Sequence, residues 1–386
     1  MFSLTIDREY LIKTLADLIR INSINPQLVP EGRGEAEIAI YMAEALRRLN
    51  LEVTMHEPAP GRVSVVGRLQ GKGGGRSLML NGHIDTVGIE GMVEPFSAAI
   101  RNGRMYGRGA YDMKGSLAAC MAAMKALVEA KTSFSGEVLL AAVADEEYFS
   151  LGTADVISRN KVDGAIVAEA TEMNLCRSHK GFVWLEVETF GRAAHGSRFD
   201  EGVDANMMMG RFLAELDKLE KELRARPPHP LVGPPSLHAA LISGGSGLST
   251  YAASCKLKIE RRTIPGETEA LVVSEIQKIV DRLAAADPTF KASVRAFCTR
   301  EPFEVAESAE IVRAVEKATM RVRGIAPRHI GQTFWMDSAL LAAAGVETVV
   351  IGPIGAGAHA DEEWVDLQSL VDLAQILAET TVDYCR

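Results

Sequence analysis

Residues 7–21 (DREYLIKTLADLIRI) place Tyr10, Leu11, Leu15, Leu18 and Ile19 three and four apart, the spacing of one helix face. Residues 35–49 repeat it through Ile38, Met42, Leu46 and Leu49. Strand-like runs follow at 51–56, 63–69 and 77–82, parted by Gly-rich turns, GKGGG at 71–75 the clearest. A helix of small residues is expected over 114–130, then strands over 136–144 and 164–169. Helices alternating with buried-looking strands predict an α/β domain, a mixed sheet flanked by helices.

The pattern changes near residue 180. WLEVETF (184–190) alternates like a strand with one wet face, and 204–225 is an amphipathic helix through Met208, Phe212, Leu216, Leu219 and Leu223. Strands at 237–243 and 253–262, a helix at 267–286 and a strand at 291–298 complete a β-α-β-β-α-β order, the ferredoxin-like split unit. Helices at 307–323, 337–344 and 366–382 and a strand at 346–351 return to the first style. The reading is therefore one α/β domain, residues 1–179 and 296–386, interrupted by an inserted α+β domain at 180–295.

Composition narrows the function. The 386 residues are 47% hydrophobic and 24% charged, which excludes a disordered or fibrous chain. The net charge is −9 and no Lys/Arg run exceeds two residues, which argues against nucleic acid or an anionic membrane surface as partner. MFSLTIDREY lacks the basic start and apolar run of a signal peptide. The charge-poor stretch 338–360 is broken by Gly, Pro and Glu347 and reads as helix, strand and loop, not as a membrane span. Five scattered cysteines without a CxxC point to reduced thiols in a cytoplasmic protein and away from a thiolate zinc cluster.

The chemistry gathers where apolar strands end. SLMLNGHIDTV sets His83 and Asp85 just past a strand, the edge at which open α/β sheets hold ligands. A His with an Asp two residues on suits a metal ligand and the carboxylate that fixes its ring; a turn Asp beside a surface His looks the same. Asp112 in GRMYGRGAYDMKG follows a Gly-rich turn and opens a helix, so it reads as a ligand or as a helix N-cap. The run 139–144 (LLAAVA) ends in Asp145, Glu146 and Glu147. Crowded carboxylates at the end of a buried strand are costly unless a cation or proton offsets them, the alternative being a solvated acidic turn. AIVAEAT ends another apolar strand in Glu169, and GAGAHADEEW puts His359 in a Gly-rich loop; each alone also reads as an ordinary loop residue. Together, two His and three carboxylates suit two borderline divalent ions such as Zn²⁺.

The series NGHIDTV, GRGAYDMKG, ADEE, AEAT, GRAAHGS, ERRTIPGE and AHADEEW spans nearly the whole chain. In content and order it resembles the dinuclear-zinc aminoacylase and carboxypeptidase family, which includes acetylornithine deacetylase, succinyl-diaminopimelate desuccinylase and glutamate carboxypeptidase. The resemblance implies that His83 and Glu169 hold one metal and Glu147 and His359 the other. Asp112 would bridge both, Asp85 would orient His83, and Glu146 would be the general base. A cis peptide at Asp112–Met113 and an inserted dimerisation lid are implied too. Arg262 matches the family's R-x-x-P arginine and would grip a substrate carboxylate, unless it is a surface arginine on an exposed strand face. His195 would reach the partner subunit's active site and stabilise the oxyanion, unless it is a turn histidine.

Some features depart from the family. Ser249, Ala252 and Ala253 stand where Asn-x-x-Pro-Asp is common, and EAT replaces EPT around Glu169. GKGGG is no phosphate loop, and Ser246 in GGSGL lacks the second glycine of a nucleophile elbow. The Met run 207–209 and Trp184 read as lid packing, and His56, His179, His229, His238 and His329, lacking a carboxylate-rich context, as surface or packing residues.

The expectation is a metal-dependent amidohydrolase of acetylornithine deacetylase type. It would cleave the amide of an N-acyl amino acid or short peptide with metal-activated water and Glu146 as base. Two divalent ions, zinc with cobalt or manganese as alternatives, and a homodimer formed through the lid would complete it. The rivals are a dipeptidase or carboxypeptidase of the same family, a dimeric metal-binding protein without catalysis, and a hydrolase of some non-peptide C–N bond. An intact Glu146 argues against lost catalysis.

Overall fold

Burial of one apolar stripe seats the first two helices of the computed structural model, which describes residues 4–131 and 134–386. The first three residues of the segment read for a signal peptide lie outside the described residues. Helix Arg8–Arg20 buries Leu11, Leu15, Leu18 and Ile19, and Asp7 caps it by accepting the Tyr10 N–H at 2.9 Å. Helix Ala36–Arg48 buries Ile38, Met42 and Leu46. The chain forms two compact units. One comprises Met1–Arg177, Val305–Ile330 and Met336–Arg386; the other comprises Ser178–Glu304 with Gly331–Trp335.

The first unit is built on a mixed sheet flanked by helices. Its strands lie in the order Glu52–Ala59, Arg62–Gln70, Glu137–Val143, Ser77–His83, Gly164–Val167, Glu347–Val350 and Leu175–His179. The middle four are parallel to one another, so their carboxyl ends share one edge. Val138 to Val143 are buried at every position, which is why the sequence shows an unbroken apolar run there and not alternation.

The second unit is the β-α-β-β-α-β element. Strands Ser236–Gly244, Ser254–Thr263, Gly181–Phe190 and Ala292–Arg300 pair antiparallel in that order, with the first and third strands of the chain order central. Helices Ala205–Ala225 and Glu269–Ala286 supply Met208, Phe212, Leu216, Val272 and Ile276 to one core with Leu185, Leu257 and Ile259. Asp204 and Thr268 cap them. Residues 296–304, assigned by pattern to the α/β domain, belong here, because the last strand continues past 295 along its Gly181–Phe190 partner.

Several elements were not anticipated. Helix Leu151–Arg159 starts from Ser150 at φ 58 with no side-chain cap, so it lacks a start signal. Strands Ala99–Arg101, Arg104–Tyr106, Gly355–Ala356 and Trp364–Asp366 form a small sheet too short to show alternation. Met208 and Met209 pack as expected, and Trp184 packs its ring beside Phe182 and Phe297, whereas Met207 faces solvent. Among the described residues no helix is long and apolar enough to cross a membrane, and all five cysteines are free thiols.

Candidate metal centre

The shared carboxyl edge of the parallel strands gathers the polar groups. His83 is the last residue of its strand, Asp145–Glu147 follow the next, and Glu169 lies two residues beyond Val167. His83 Nε2 is 3.1 Å from Asp112 Oδ1 and 3.5 Å from Glu169 Oε1. His359 Nε2 is 3.3 Å from Asp112 Oδ2 and 3.1 Å from Glu147 Oε2. Asp112 thus offers one oxygen to each imidazole. Donor atoms of His83, Asp112 and Glu147 lie within 4.8 Å of one another, and so do those of His83, Glu146 and Glu169.

Unusual backbone presents these side chains. Asp145 and His359 have left-handed φ values of 70° and 60°. A non-glycine residue held there costs of order 1–3 kcal/mol, so the surroundings must impose it. Beside His359, Gly357 at φ 85° would place a Cβ 1.8 Å from the Glu362 carbonyl oxygen, so no side chain fits. Asp112 follows Gly109 at φ 82°, and the Asp112–Met113 peptide is cis.

Glu363 grips this loop, a role the sequence reading missed. Its Oε2 accepts from Arg108 Nη1 at 2.8 Å and the Gly109 N–H at 3.0 Å. Its Oε1 accepts the N–H groups of Tyr111 at 2.8 Å and Asp112 at 3.0 Å. AHADEEW contains it beside His359, but nothing local in that segment separates Glu363 from Asp361 and Glu362.

Asp85 meets His83 through its backbone and the acidic strand end through its carboxylate. His83 Nδ1 is 3.0 Å from the Asp85 carbonyl oxygen and 3.6 Å from its carboxylate. The carboxylate accepts the N–H groups of Glu146 at 3.1 Å and Glu147 at 3.2 Å, and Asn25 Nδ2 at 2.8 Å. It therefore holds the strand end that carries two of the acidic groups, and the backbone of Asp85 meets the imidazole.

The electrostatics describe a site short of positive charge. Burial pushes Glu146 well above the usual carboxylate range, raises Glu147, and brings Glu169 to about 8. Hydrogen bonds that it donates to Asp112 and Glu147 raise His359 to about 10. His83 is raised despite its burial by Asp112 and the neighbouring glutamates. Burial works against ionised Asp112, but His359 and His83 hold it below the usual range. The same crowding of carboxylates that raises both imidazoles would be relieved by cations, and this donor set of nitrogen and carboxylate oxygen fits borderline divalent ions.

Two residues belong to the second unit. His195 is exposed, and its Nδ1 lies 2.8 Å from Ser197 Oγ. Arg262 donates from Nε to Glu260 Oε1 at 2.7 Å and sits over the Phe182 ring at 5.2 Å. Its guanidinium already has a carboxylate partner, two positions back on the same strand face. Three of the remaining histidines have carboxylate neighbours that their local sequence does not show. His229 lies 3.0 Å from Glu304, His56 3.8 Å from Asp155 and His329 3.7 Å from Glu316, carboxylates remote in sequence. His179 is buried against Phe303 and Trp335, a packing role.

The model of peptidase family M20/M25/M40 matches residues 79–383, which include every residue of this cluster. The chain belongs to that family. Membership makes this M20-family chain a hydrolase of C–N bonds. It is 27% identical to N-formyl-4-amino-5-aminomethyl-2-methylpyrimidine deformylase of Bacillus subtilis (strain 168), over 92% of this chain and 91% of that one. It is also 27% identical to acetylornithine deacetylase of Myxococcus xanthus, over 96% and 97%. Among solved structures, the YXEP protein of Bacillus subtilis, described as a dinuclear metal binding peptidase of the M20 family, aligns with a TM-score of 0.78. Identity there is 15%, with 98% of each chain covered.

Proposed function

We propose that this M20-family hydrolase is a two-metal amidohydrolase that removes the acyl group from an N-acylated amino acid. The observation that carries this is Asp112, whose two oxygens face two different imidazoles, each flanked by a further carboxylate. His83 and Glu169 would hold one ion, His359 and Glu147 the other, and Asp112 both; zinc is the first choice, with cobalt or manganese as alternatives. When bound, the ions supply Lewis acidity for the scissile carbonyl and for the attacking water. Glu146 is the group left over in the cluster. Burial makes its carboxylate a stronger base than an exposed one, which suits a group that takes a proton from water and returns it to the leaving amine. The second unit serves as the lid through which two copies pair, with His195 reaching the other copy's site and Arg262 meeting the substrate carboxylate once it leaves Glu260.

Both curated relatives described above are named for removing an acyl group from nitrogen, which favours a deacylase over the peptidase reading. A metal-reconstituted screen of N-acetyl and N-formyl amines, N-acyl amino acids and dipeptides tests it. Turnover of an N-acyl amino acid is the expected result. Activity confined to dipeptides would replace this reading with the dipeptidase one, and activity confined to acylated amines without a carboxylate would remove Arg262 from recognition.

A further inference from the structure

The turn that carries Glu146 and Glu147 rests on buried charges outside the metal cluster. Arg62 opens the strand Arg62–Gln70 and is 4% exposed; Glu35 and Asp145 are 0% and 1% exposed. A single nitrogen, Arg62 Nη2, lies 2.8 Å from Glu35 Oε1 and also pairs with Asp145 Oδ1. Asn25 Nδ2 adds a contact to the same Asp145 oxygen at 3.1 Å and ties it to Asp85 Oδ2 at 2.8 Å. Asp145 holds φ 70°, and its carbonyl accepts the Phe149 N–H at 3.0 Å, closing the turn. Three carboxylates and one guanidinium at this depth are expensive to bury, and apolar residues of similar volume would stabilise the fold as well or better. Stability alone therefore gives no reason for the arrangement, whereas geometry does. The residue after this strained position projects Glu146 toward His83 and Glu169, and the next projects Glu147 toward His359.

We propose that Arg62 is a positioning residue: by bridging Glu35 and Asp145 it holds the left-handed turn that aims Glu146 and Glu147 into the metal cluster. The inference rests on the roles given to those two glutamates above. Because Nη2 alone does the bridging, while Nε and Nη1 find no hydrogen-bond acceptor among the described residues, a lysine ammonium can replace it and a methionine cannot.

The test uses the full-length metal-free protein and zinc alone, titrated against a chromophoric chelator, with melting temperature recorded in parallel. Arg62→Met should weaken the site that contains Glu147 by about 10–100-fold, the usual effect of losing a partner behind a metal ligand, and leave the other site within a few-fold. Arg62→Lys should recover most of that affinity. The double variant Arg62→Met/Asp145→Asn removes one of the two buried carboxylates that Arg62→Met leaves unpaired, Glu35 being the other, so it should regain part of the melting temperature without regaining zinc affinity. A merely structural arginine would move the melting temperature and leave zinc affinity per folded molecule unchanged. Wild-type zinc affinity in Arg62→Met or in the double variant overturns the proposal, and so does a lysine variant as weak as the methionine one. Should Arg62→Met not fold, the double variant and the lysine variant decide. Glu147→Ala is the control on the underlying reading: if it binds zinc like the wild type, the assignment of the metal site fails, and not the role of Arg62.

Discussion

Replacing Glu363 by Gln should loosen the metal centre although Glu363 is not among the proposed ligands. The carboxylate is 1% exposed and accepts four hydrogen bonds, two at each oxygen. An amide keeps one acceptor and turns an NH₂ donor toward the other pair of donors. Two buried donors then lose their acceptor, at about 1–3 kcal/mol each. Arg108, itself 3% exposed, also loses its anionic partner, which moves the total toward the 3–5 kcal/mol typical of a broken buried ion pair. A loss of about 4 kcal/mol is a large share of a stability of ~5–15 kcal/mol, yet it leaves the protein folded. At roughly 2–4 °C per kcal/mol for a domain of this size, the metal-free protein should melt about 10 °C lower. The Asp112 N–H is one of the four donors, so zinc affinity should also fall by about 10–100-fold. Calorimetry on metal-free protein and a zinc titration measure the two effects separately. Glu362→Gln, an exposed neighbour, should change neither. A Glu363→Gln variant with wild-type melting temperature and zinc affinity would refute the claim that this carboxylate shapes the Asp112 loop.

Glu146→Gln should bind metal with wild-type stoichiometry and turn over at least ~10³-fold more slowly, within the ~10²–10⁴ range of acid–base catalysis; loss of a metal ion would remove Glu146 from the base role. Asp112→Ala should lose more zinc under mild chelation than His83→Ala or His359→Ala, because its two oxygens face different imidazoles; elemental analysis compares them, and a wild-type stoichiometry of one at saturating zinc would end the two-metal scheme. Co-expressed Glu146→Gln and His195→Ala subunits should show up to about a quarter of wild-type turnover per site if His195 acts across a dimer; a verified heterodimer no more active than either parent would count against it.

The strand ends were readable because their physics is local. Val138 to Val143 are buried at every position, so an unbroken apolar run followed by three acids marks the end of a central strand without any partner being known. Parallel pairing then brings His83, Glu147 and Glu169 to one edge, and that needs only the fold class. The β-α-β-β-α-β unit was readable for the same reason, since each helix carries its stripe and its cap within its own segment. Short elements gave no such signal: strands of two or three residues have too few positions to alternate.

The polar partners were not readable, and the reason is the range over which they are chosen. In DEEW, Asp361, Glu362 and Glu363 look alike, yet the first two are exposed and the third is buried. What separates them is the pairing of Trp364 with Tyr106, which brings Glu363 alongside the loop leading to Asp112, 251 residues away. Asp85 follows the same rule. Its spacing from His83 pointed to the imidazole, but the N–H groups of Glu146 and Glu147 stand closer to its carboxylate than the His83 ring does. Arg262 is engaged by Glu260, a neighbour on the same strand face that the R-x-x-P spacing does not include. Spacing thus identifies which side chains reach the sheet edge. Which of them bind an ion, and which hold the backbone of those that do, depends on where a carboxylate finds its nearest donors after the strands have paired.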